Sequence, residues 1–204
     1  MASSLRTSSA ATLLLCLAAA GAAAAEAGSG HTLVVNGIEL HYEVSGSGEP
    51  LLLLHAGTAT GRMWDEHLGE LAARYRVIVP DLRGHGGSTN PDRVWTTRQF
   101  AADIFALLDH LEVRRLRAIG ASAGAMTLLH MATAQPERFE ALVVIGVGTS
   151  LPAACRSTLS AVDPEAVPAV AMEELRAIHH HGDGQIQALY SWVASLATDE
   201  TDMV

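Results

Sequence analysis

Ser122 is the residue best placed for nucleophilic chemistry, because it lies at the centre of the sequence Gly120-Ala121-Ser122-Ala123-Gly124. An apolar run precedes this sequence and a run typical of a helix follows it, which is the strand, turn and helix context of a G-x-S-x-G nucleophile elbow. The glycines on either side meet a steric requirement, since the sharp turn brings the strand and helix backbones together. The pattern therefore predicts that Ser122 is a catalytic nucleophile.

A serine nucleophile needs a base and an orienting acid, and the histidines after Ser122 fit that role poorly. His130 lies about 12 Å along the predicted helix, too far to accept the Ser122 proton. His179, His180 and His181 end a later predicted helix, where histidines interact favourably with the helix dipole. A metal site there would lack a second group of ligands, so we expect no metal and no cofactor.

The overall charge restricts the class of partner. The 204 residues carry a formal net charge of −9, which leaves no basic surface for phosphates, so we expect no nucleic-acid partner. With 49% hydrophobic residues, the chain can bury a sizeable core in one compact domain. The sequence makes no prediction of oligomeric state.

Residues 1–30 have the pattern of a secretory signal peptide and leader. Arg6 precedes an apolar stretch at residues 10–20, and Ala25-Glu26-Ala27 forms an A-x-A cleavage site. This stretch is shorter than the about 20 residues of a membrane span, so we expect no stable span after processing. The sequence predicts a secreted or periplasmic protein in which Cys155 is the one remaining cysteine and no internal disulfide forms.

Strand and helix patterns alternate along the chain that follows. Asn36-Gly37 is a hairpin turn signal between two predicted strands. The unbroken apolar run at residues 51–54 and the apolar segments at residues 77–81 and 141–146 predict buried parallel strands, with helical spacing between them. This alternation predicts an α/β fold with a mostly parallel, doubly wound sheet. After residue 150 the pattern predicts helices at residues 165–178 and 184–197 and no further buried strand.

Three motifs make the chain resemble the α/β-hydrolase fold family, in its branch of small single-domain hydrolases with a helical lid. Leu53-Leu54-His55-Ala56-Gly57 resembles the strand-end motif H-G-x, residues 80–88 resemble the segment D-x-R-G-H-G-x-S, and the elbow follows at the expected distance. The resemblance is strong over residues 33–149. It implies an α/β-hydrolase core at residues 31–150 and a helical lid segment at residues 151–204.

The resemblance also implies an oxyanion hole. The backbone amides of Gly57 and Ala123 correspond to the family's donors to the developing alkoxide. Ala56 stands where the family usually has glycine, and we expect it to make this loop less permissive because alanine disfavours positive φ.

Four polar residues in the motifs are open to a structural or a functional interpretation. His55 is expected to shape the loop after its strand rather than act as the base. Asp81, Arg83 and His85 follow a strand at the edge where substrates bind in such sheets, yet in this family they mainly brace the loop. We interpret all four as structural.

A serine at position 122 indicates acyl transfer. Within the family an aspartate there would indicate haloalkane dehalogenases or epoxide hydrolases, which form alkyl-enzyme esters through a carboxylate. The resemblance therefore implies a serine hydrolase, such as an esterase, lipase, lactonase, amidase or carbon-carbon bond hydrolase. We expect it to act on a small ester-like substrate through an acyl-enzyme.

The family's later acid and base cannot be identified in this sequence. The aspartates that follow the elbow do not end a recognisable strand: Asp163, Asp183, Asp199 and Asp202. We therefore expect a carboxyl-truncated hydrolase whose late strands are missing and which has little or no esterase activity. Two alternatives stay open: a noncatalytic α/β-hydrolase-like binding protein, and a substitute base supplied by His180 or His181.

Overall fold

The computed structural model describes residues 30–148, 150, 152–163 and 165–198. The predicted signal peptide and leader lie outside these residues except for Gly30, as do Asp199 and Asp202, and secretion stays a prediction. Within the described part, no helix is long and apolar enough to cross a membrane.

The described strands form a six-stranded sheet in the order β1-β2-β4-β3-β5-β6. The strands are β1 (His31–Val35), β2 (Ile38–Ser45), β3 (Glu49–Leu54), β4 (Tyr75–Pro80), β5 (Leu116–Ala121) and β6 (Phe139–Ile145). β2 is antiparallel to β1 and β4, and the pairs among β4, β3, β5 and β6 are parallel. The prediction of a mostly parallel α/β sheet is confirmed.

Helices connect and follow these strands. They are α1 (Asp65–Ala72), α2 (Thr97–His110), α3 (Ala123–Ala134), α4 (Ala153–Leu159), α5 (Ala169–Ile178) and α6 (Asp183–Ser195), with 3₁₀ turns at Gly61–Trp64 and Pro136–Arg138. The helix predicted from residue 165 begins only at residue 169, because Pro168 disfavours helical backbone in the residue before it. The sequence pattern did not predict α4.

The hairpin at the start of the sheet has the predicted turn. Asn36 and Gly37 have φ values of 46° and 79°, and Val35 lies opposite Ile38. Two consecutive residues with positive φ are the signature of a type I′ turn, which joins antiparallel strands without splaying them.

The apolar run of β3 is buried on both faces of the sheet. Successive side chains of a strand point to opposite faces. Leu52 and Leu54 accordingly pack in one core cluster with side chains of α2 and α3, whereas Leu51 and Leu53 pack in another with the helix α1 and the 3₁₀ turn before it. Burial on both faces explains why the run contains no polar residue.

β6 differs from the prediction of a buried strand. Val143, Val144 and Ile145 are 50%, 40% and 49% exposed, although their sequence is as apolar as that of β3. Among the described strands β6 pairs only with β5, so it forms an edge of the sheet. An apolar run indicates a strand, but the number of its neighbours decides whether it is buried.

Candidate active site

Ser122 lies between β5 and α3, with a backbone conformation outside the ordinary allowed regions. Its φ is 48° and its ψ is −112°, and its side chain is exposed. Its amide donates to the Ile145 carbonyl of β6 at 2.8 Å. Such a conformation costs about 1–3 kcal/mol and persists only where the surroundings fix it, which occurs mainly at functional sites.

The flanking glycines allow the close approach that this turn needs. A Cβ on Gly120 would lie 2.7 Å from the Gly124 carbonyl oxygen, and one on Gly124 would lie 2.5 Å from the Leu54 carbonyl oxygen. The Gly124 amide also donates to the His55 carbonyl at 3.1 Å. The backbones of β3, β5 and α3 therefore meet at these two positions, which is the steric reason the sequence suggested.

Gly57 and Ala123 line the same cavity as Ser122. Ala123 is the first residue of α3, so its amide lies at the positive end of a helix dipole, which favours a negative charge. The expectation about Ala56 is wrong, because Ala56 has no positive φ and Thr58 has one, at 63°. The residue that bears the energetic cost of a positive φ is therefore Thr58, two positions after Ala56.

Gly57 has no positive φ, but a side chain at this position would be slightly crowded. A Cβ at this position would lie 3.3 Å from Trp192 Cζ3 and 3.4 Å from Val193 Cγ2. These side chains belong to α6, which packs directly on the loop after β3. Trp192 is 4% exposed and part of the core, and it also lines the Ser122 cavity.

The cavity in front of Ser122 has a volume of about 770 Å³ and walls that are almost entirely apolar. Its larger side chains come from the loop after β3, from α3, from β6 and from α4 and α6: Met63, Met126, Ile145, Leu159, Trp192 and Leu196. The described residues that line it include no charged side chain and no histidine. The geometry brings together the three residues of the predicted site but adds neither acid nor base to them.

The two histidines considered as a substitute base face elsewhere. His180 lines a separate cavity of about 210 Å³. His181 Nε2 lies 3.1 Å from the Gly87 carbonyl oxygen. Neither residue lines the Ser122 cavity, so the structure gives no support to the substitute-base hypothesis.

Asp81 organises the loop of residues 81–88, which follows β4. Its carboxylate accepts hydrogen bonds from the amides of Gly61 and Gly87, at 2.8 and 2.9 Å, and lies 3.1 Å from His41 Nδ1. Burial alone would raise the pKa of Asp81, but the hydrogen bond from His41, the nearby His55 ring and the two amides outweigh it and lower this pKa to about 2. Asp81 is thus an ionised acceptor that fixes three segments of chain.

Arg83 and His85 are buried within the same loop. The Arg83 guanidinium donates to both carboxylate oxygens of Asp103, at 2.8 and 2.9 Å, and to the Asn36 carbonyl at 3.0 Å. The His85 ring is enclosed by aromatic rings, including those of Trp95 and Trp192, and burial lowers its pKa well below the usual range. These contacts fit the structural interpretation of both residues.

His55 is a fully buried histidine with both ring nitrogens engaged. Nε2 accepts from the Leu82 amide at 2.9 Å, so Nδ1 carries the proton and donates to the Ala56 carbonyl at 2.8 Å. Burial lowers the pKa of His55. A neutral ring held at both nitrogens shapes the loop and has no free nitrogen with which to act as a base.

His179 is the residue that the sequence interpretation missed. It follows α5 and is only 2% exposed. Its Nδ1 accepts from the Gly86 amide at 3.0 Å, and its Nε2 lies 3.1 Å from the Thr58 carbonyl oxygen. Burial lowers its pKa to about 4. The available signal was the repeat of four positions from Ala171 to Leu175 to His179, all of them buried, which predicts one helix face for the three.

Comparison with known proteins agrees with this arrangement. A family model described as alpha/beta hydrolase fold matches residues 49–180. The soluble epoxide hydrolase of Corynebacterium sp. (strain C12) is 33% identical over 115 residues, which are 56% of this chain and 40% of that protein. The 3-oxoadipate enol-lactonase 2 of Acinetobacter baylyi is 31% identical over 122 residues, which are 59% of this chain and 46% of that protein.

Solved structures give the same picture. A hydrolase from Pseudomonas aeruginosa PA01 superposes with a TM-score of 0.65 at 27% identity, over 83% of this chain and 74% of that one. A mutant epoxide hydrolase from Vigna radiata superposes with a TM-score of 0.55 at 31% identity, over 58% of this chain and 38% of that one. The chain spans less than half the length of the curated relatives it matches.

Proposed function

Because the chain belongs to the α/β-hydrolase fold family, we propose that Ser122 is the nucleophile of a hydrolase site that acts on a small ester-like substrate through an acyl-enzyme. The observation that carries this proposal is the Ser122 conformation: the hydroxyl-bearing residue is held at φ 48° and opens into an apolar cavity. The relatives named above are hydrolases of epoxides and of an enol-lactone. A serine in place of a carboxylate nucleophile favours the carbonyl chemistry of the second type.

In the proposed reaction, Ser122 Oγ attacks the carbonyl carbon of the ester while its proton passes to a base. The carbonyl oxygen becomes an oxyanion, for which the amides of Gly57 and Ala123 are the proposed donors, each worth about 3 kcal/mol. The alcohol then departs with a proton, and water hydrolyses the acyl-enzyme by the same route. The start of α3 adds a favourable potential for the negative charge.

The cavity walls define the class of substrate that we propose. A charged group would lose its hydration there without gaining a partner, because the described lining residues carry no charge. The acyl group is therefore neutral and apolar. Met63 and Met126 are adaptable side chains that accommodate varied shapes.

Turnover by this polypeptide is expected to be poor. Among the described lining residues of the cavity there is neither a carboxylate nor a histidine to accept the Ser122 proton. The described lining therefore offers Ser122 no general base, whose contribution is typically about 10²–10⁴-fold in rate.

Phenylboronic acid tests the nucleophile and the oxyanion donors without requiring turnover. The serine oxygen adds to the trigonal boron and its proton passes to water, so the boron becomes a tetrahedral anion that resembles the intermediate of ester hydrolysis. We expect boron NMR to show a tetrahedral species with the full chain and none with Ser122→Ala. 3-Carboxyphenylboronic acid should bind at least about tenfold more weakly, because its carboxylate is unpaired in the cavity. Equal signals from the chain and from Ser122→Ala would overturn the proposal.

A noncatalytic binding protein is the second candidate, and the absence of acid and base from the described lining favours it. It predicts that a neutral apolar ester binds equally to the full chain and to Ser122→Ala, with no tetrahedral boronate. The rate of hydrolysis of 4-nitrophenyl butyrate is a further measurement that separates the two candidate functions. Rapid turnover that depends on Ser122 would contradict both the binding-protein alternative and the expected lack of a base.

A further inference from the structure

The carbonyl of Thr58, next to the proposed oxyanion donor Gly57, is held by a ring from a distant part of the chain. His179 Nε2 lies 3.1 Å from this carbonyl oxygen, and the Gly86 amide donates to His179 Nδ1 at 3.0 Å. An amide can only donate, so Nδ1 is unprotonated and Nε2 carries the hydrogen that is donated to Thr58. The two neighbours thus fix both the tautomer and the orientation of the ring.

Thr58 has a backbone conformation that needs such support. Its φ is 63°, in the left-handed region that a β-branched residue rarely occupies. It is the third residue of a turn that the Ala59 amide closes on the Ala56 carbonyl at 3.2 Å. A positive φ at this turn position is normally met by glycine or asparagine, and here the glycine stands one residue earlier.

The segment that carries His179 is attached to the 81–88 loop at several further points. The His180 amide donates to the Gly86 carbonyl at 3.0 Å, and Gln185 Nε2 donates to the carbonyls of Gly84 and Gly86 at 3.0 and 3.1 Å. Of the contacts made by this segment, only the His179 ring reaches the turn at residues 56–59. The His55 ring also joins this turn to the 81–88 loop, through the Ala56 carbonyl and the Leu82 amide.

We propose that His179 is a positioning residue that holds Thr58, and through it the Gly57 amide, in the orientation needed by the oxyanion. The inference rests on the proposed function for its chemical consequence. The structural part stands on its own: without the ring, the turn has no donor on the Thr58 carbonyl from this side and its left-handed residue relaxes. α6, which contacts Gly57 through Trp192 and Val193, follows the same segment and reinforces the arrangement.

Amide exchange of the ¹⁵N-labelled full chain measures the structural part directly. In His179→Ala we expect the Ala59 amide to exchange about tenfold faster, the change that corresponds to losing one hydrogen bond. His179→Gln should retain part of the protection, because its amide group can donate to one neighbour and accept from the other. His181→Ala is the matched control, since that ring contacts Gly87 alone among these loops, and it should leave Ala59 unchanged.

The substitution Thr58→Gly provides a second test that does not depend on how well His179→Ala folds. A glycine adopts positive φ without strain, so in this background the loss of the His179 ring should change the Ala59 exchange rate by less than about twofold. An equally large effect of His179→Ala with and without Thr58→Gly would overturn the role assigned to Thr58.

Phenylboronic acid affinity measures the chemical part. We expect His179→Ala to weaken the tetrahedral boronate about tenfold and His181→Ala to leave it unchanged. Faster exchange with unchanged boronate affinity would mean that His179 stabilises the turn without positioning the donor, and would overturn the proposal. Absence of a boronate with the unsubstituted chain would refute the proposed function, whereas unchanged exchange in His179→Ala would refute the positioning role alone.

Discussion

The 81–88 loop and the Ser122 cavity lie at the same edge of the sheet, beyond the carboxyl ends of β4 and β5, yet they contain opposite kinds of side chain. The loop holds an ionised carboxylate, a buried guanidinium and the neutral ring of His85, and one of its amides donates to the neutral ring of His179. The cavity presents the exposed Ser122 among walls that are mostly apolar, and none of its described lining side chains is charged. In this chain, buried charge supports geometry, whereas the proposed chemistry lies where charge is absent.

This comparison predicts that the largest losses of stability come from substitutions among the charged partners of the 81–88 loop. Asp103→Ala leaves the Arg83 guanidinium, which is 2% exposed, without its carboxylate. We expect a loss of about 3–5 kcal/mol in the free energy of unfolding, since an uncompensated buried charge is strongly destabilising. Urea unfolding of the two chains measures the difference.

The matched control for Asp103→Ala is Asp183→Ala. Asp183 also pairs with an arginine, Arg176, but both side chains are about half exposed. The expected loss is much smaller than for Asp103→Ala, because water and salt screen an exposed ion pair. Similar losses for the two substitutions would show that the 81–88 network is no more important than a surface ion pair.

A substitution at the nucleophile elbow should reduce the free energy of unfolding by a smaller amount, through a clash between the new side chain and the backbone of β3. Gly124→Ala places a Cβ 2.5 Å from the Leu54 carbonyl oxygen, and we expect a loss of about 1–3 kcal/mol from overpacking. Gly69→Ala is the control, because nothing lies within 4 Å of the added Cβ and alanine favours the helix by about 0.5–1 kcal/mol. Thermal unfolding should therefore shift in opposite directions for the two variants.

At Ser122 we expect substitution by glycine to give a more stable chain than substitution by alanine. Ser122→Gly relieves the conformation at φ 48°, whereas Ser122→Ala keeps a Cβ and removes only the hydroxyl. We expect the glycine variant to be more stable than the alanine variant by about 1 kcal/mol, with the boronate complex lost in both. If the alanine variant proves at least as stable in urea, the turn stores no strain.

The comparison also predicts a change in pH dependence. Since the pKa of His179 is lowered from 6.5 to about 4, the unfolded chain binds more protons than the folded chain between these values. The contribution of the neutral ring is present above about pH 6.5 and is lost as the pH falls towards 4. His55 and His85, whose pKa values burial also lowers, act in the same direction, and Asp81 adds to the loss at lower pH.

His179→Gln should accordingly reduce, without abolishing, the decrease in unfolding free energy between pH 6.5 and 4. Unfolding by urea at a series of pH values measures it, with His181→Ala as the control. An unchanged slope in His179→Gln would mean that the ring is already protonated in the folded chain.

Much of the fold followed from local patterns in the sequence. The turn at Asn36-Gly37 and the glycines around Ser122 each reflect a backbone requirement that few residues satisfy, so their identity predicts their conformation. The apolar run of β3 likewise predicts a strand buried on both faces. These features are set within a few residues of chain or by alternation along one strand.

Other features depend on contacts between distant segments, which the sequence pattern does not record. His179 meets Thr58 across 121 positions, and its neighbours His180 and His181 look the same in the sequence although they face elsewhere. Thr58 gives no sign of its positive φ, because its conformation is supported by that remote ring. The exposure of β6 depends on which strands pair with it, a property of the sheet and not of its own residues.

The position of Trp192 gives the cavity an optical reporter. This indole lines the cavity and stacks on Trp95, with ring centroids 5.8 Å apart, whereas Trp64 belongs to the cluster on the other face of the sheet. A ligand that displaces water beside Ser122 therefore changes the environment of one coupled tryptophan pair and leaves the third as an internal reference. Intrinsic fluorescence of the unlabelled chain can follow occupancy of the site directly.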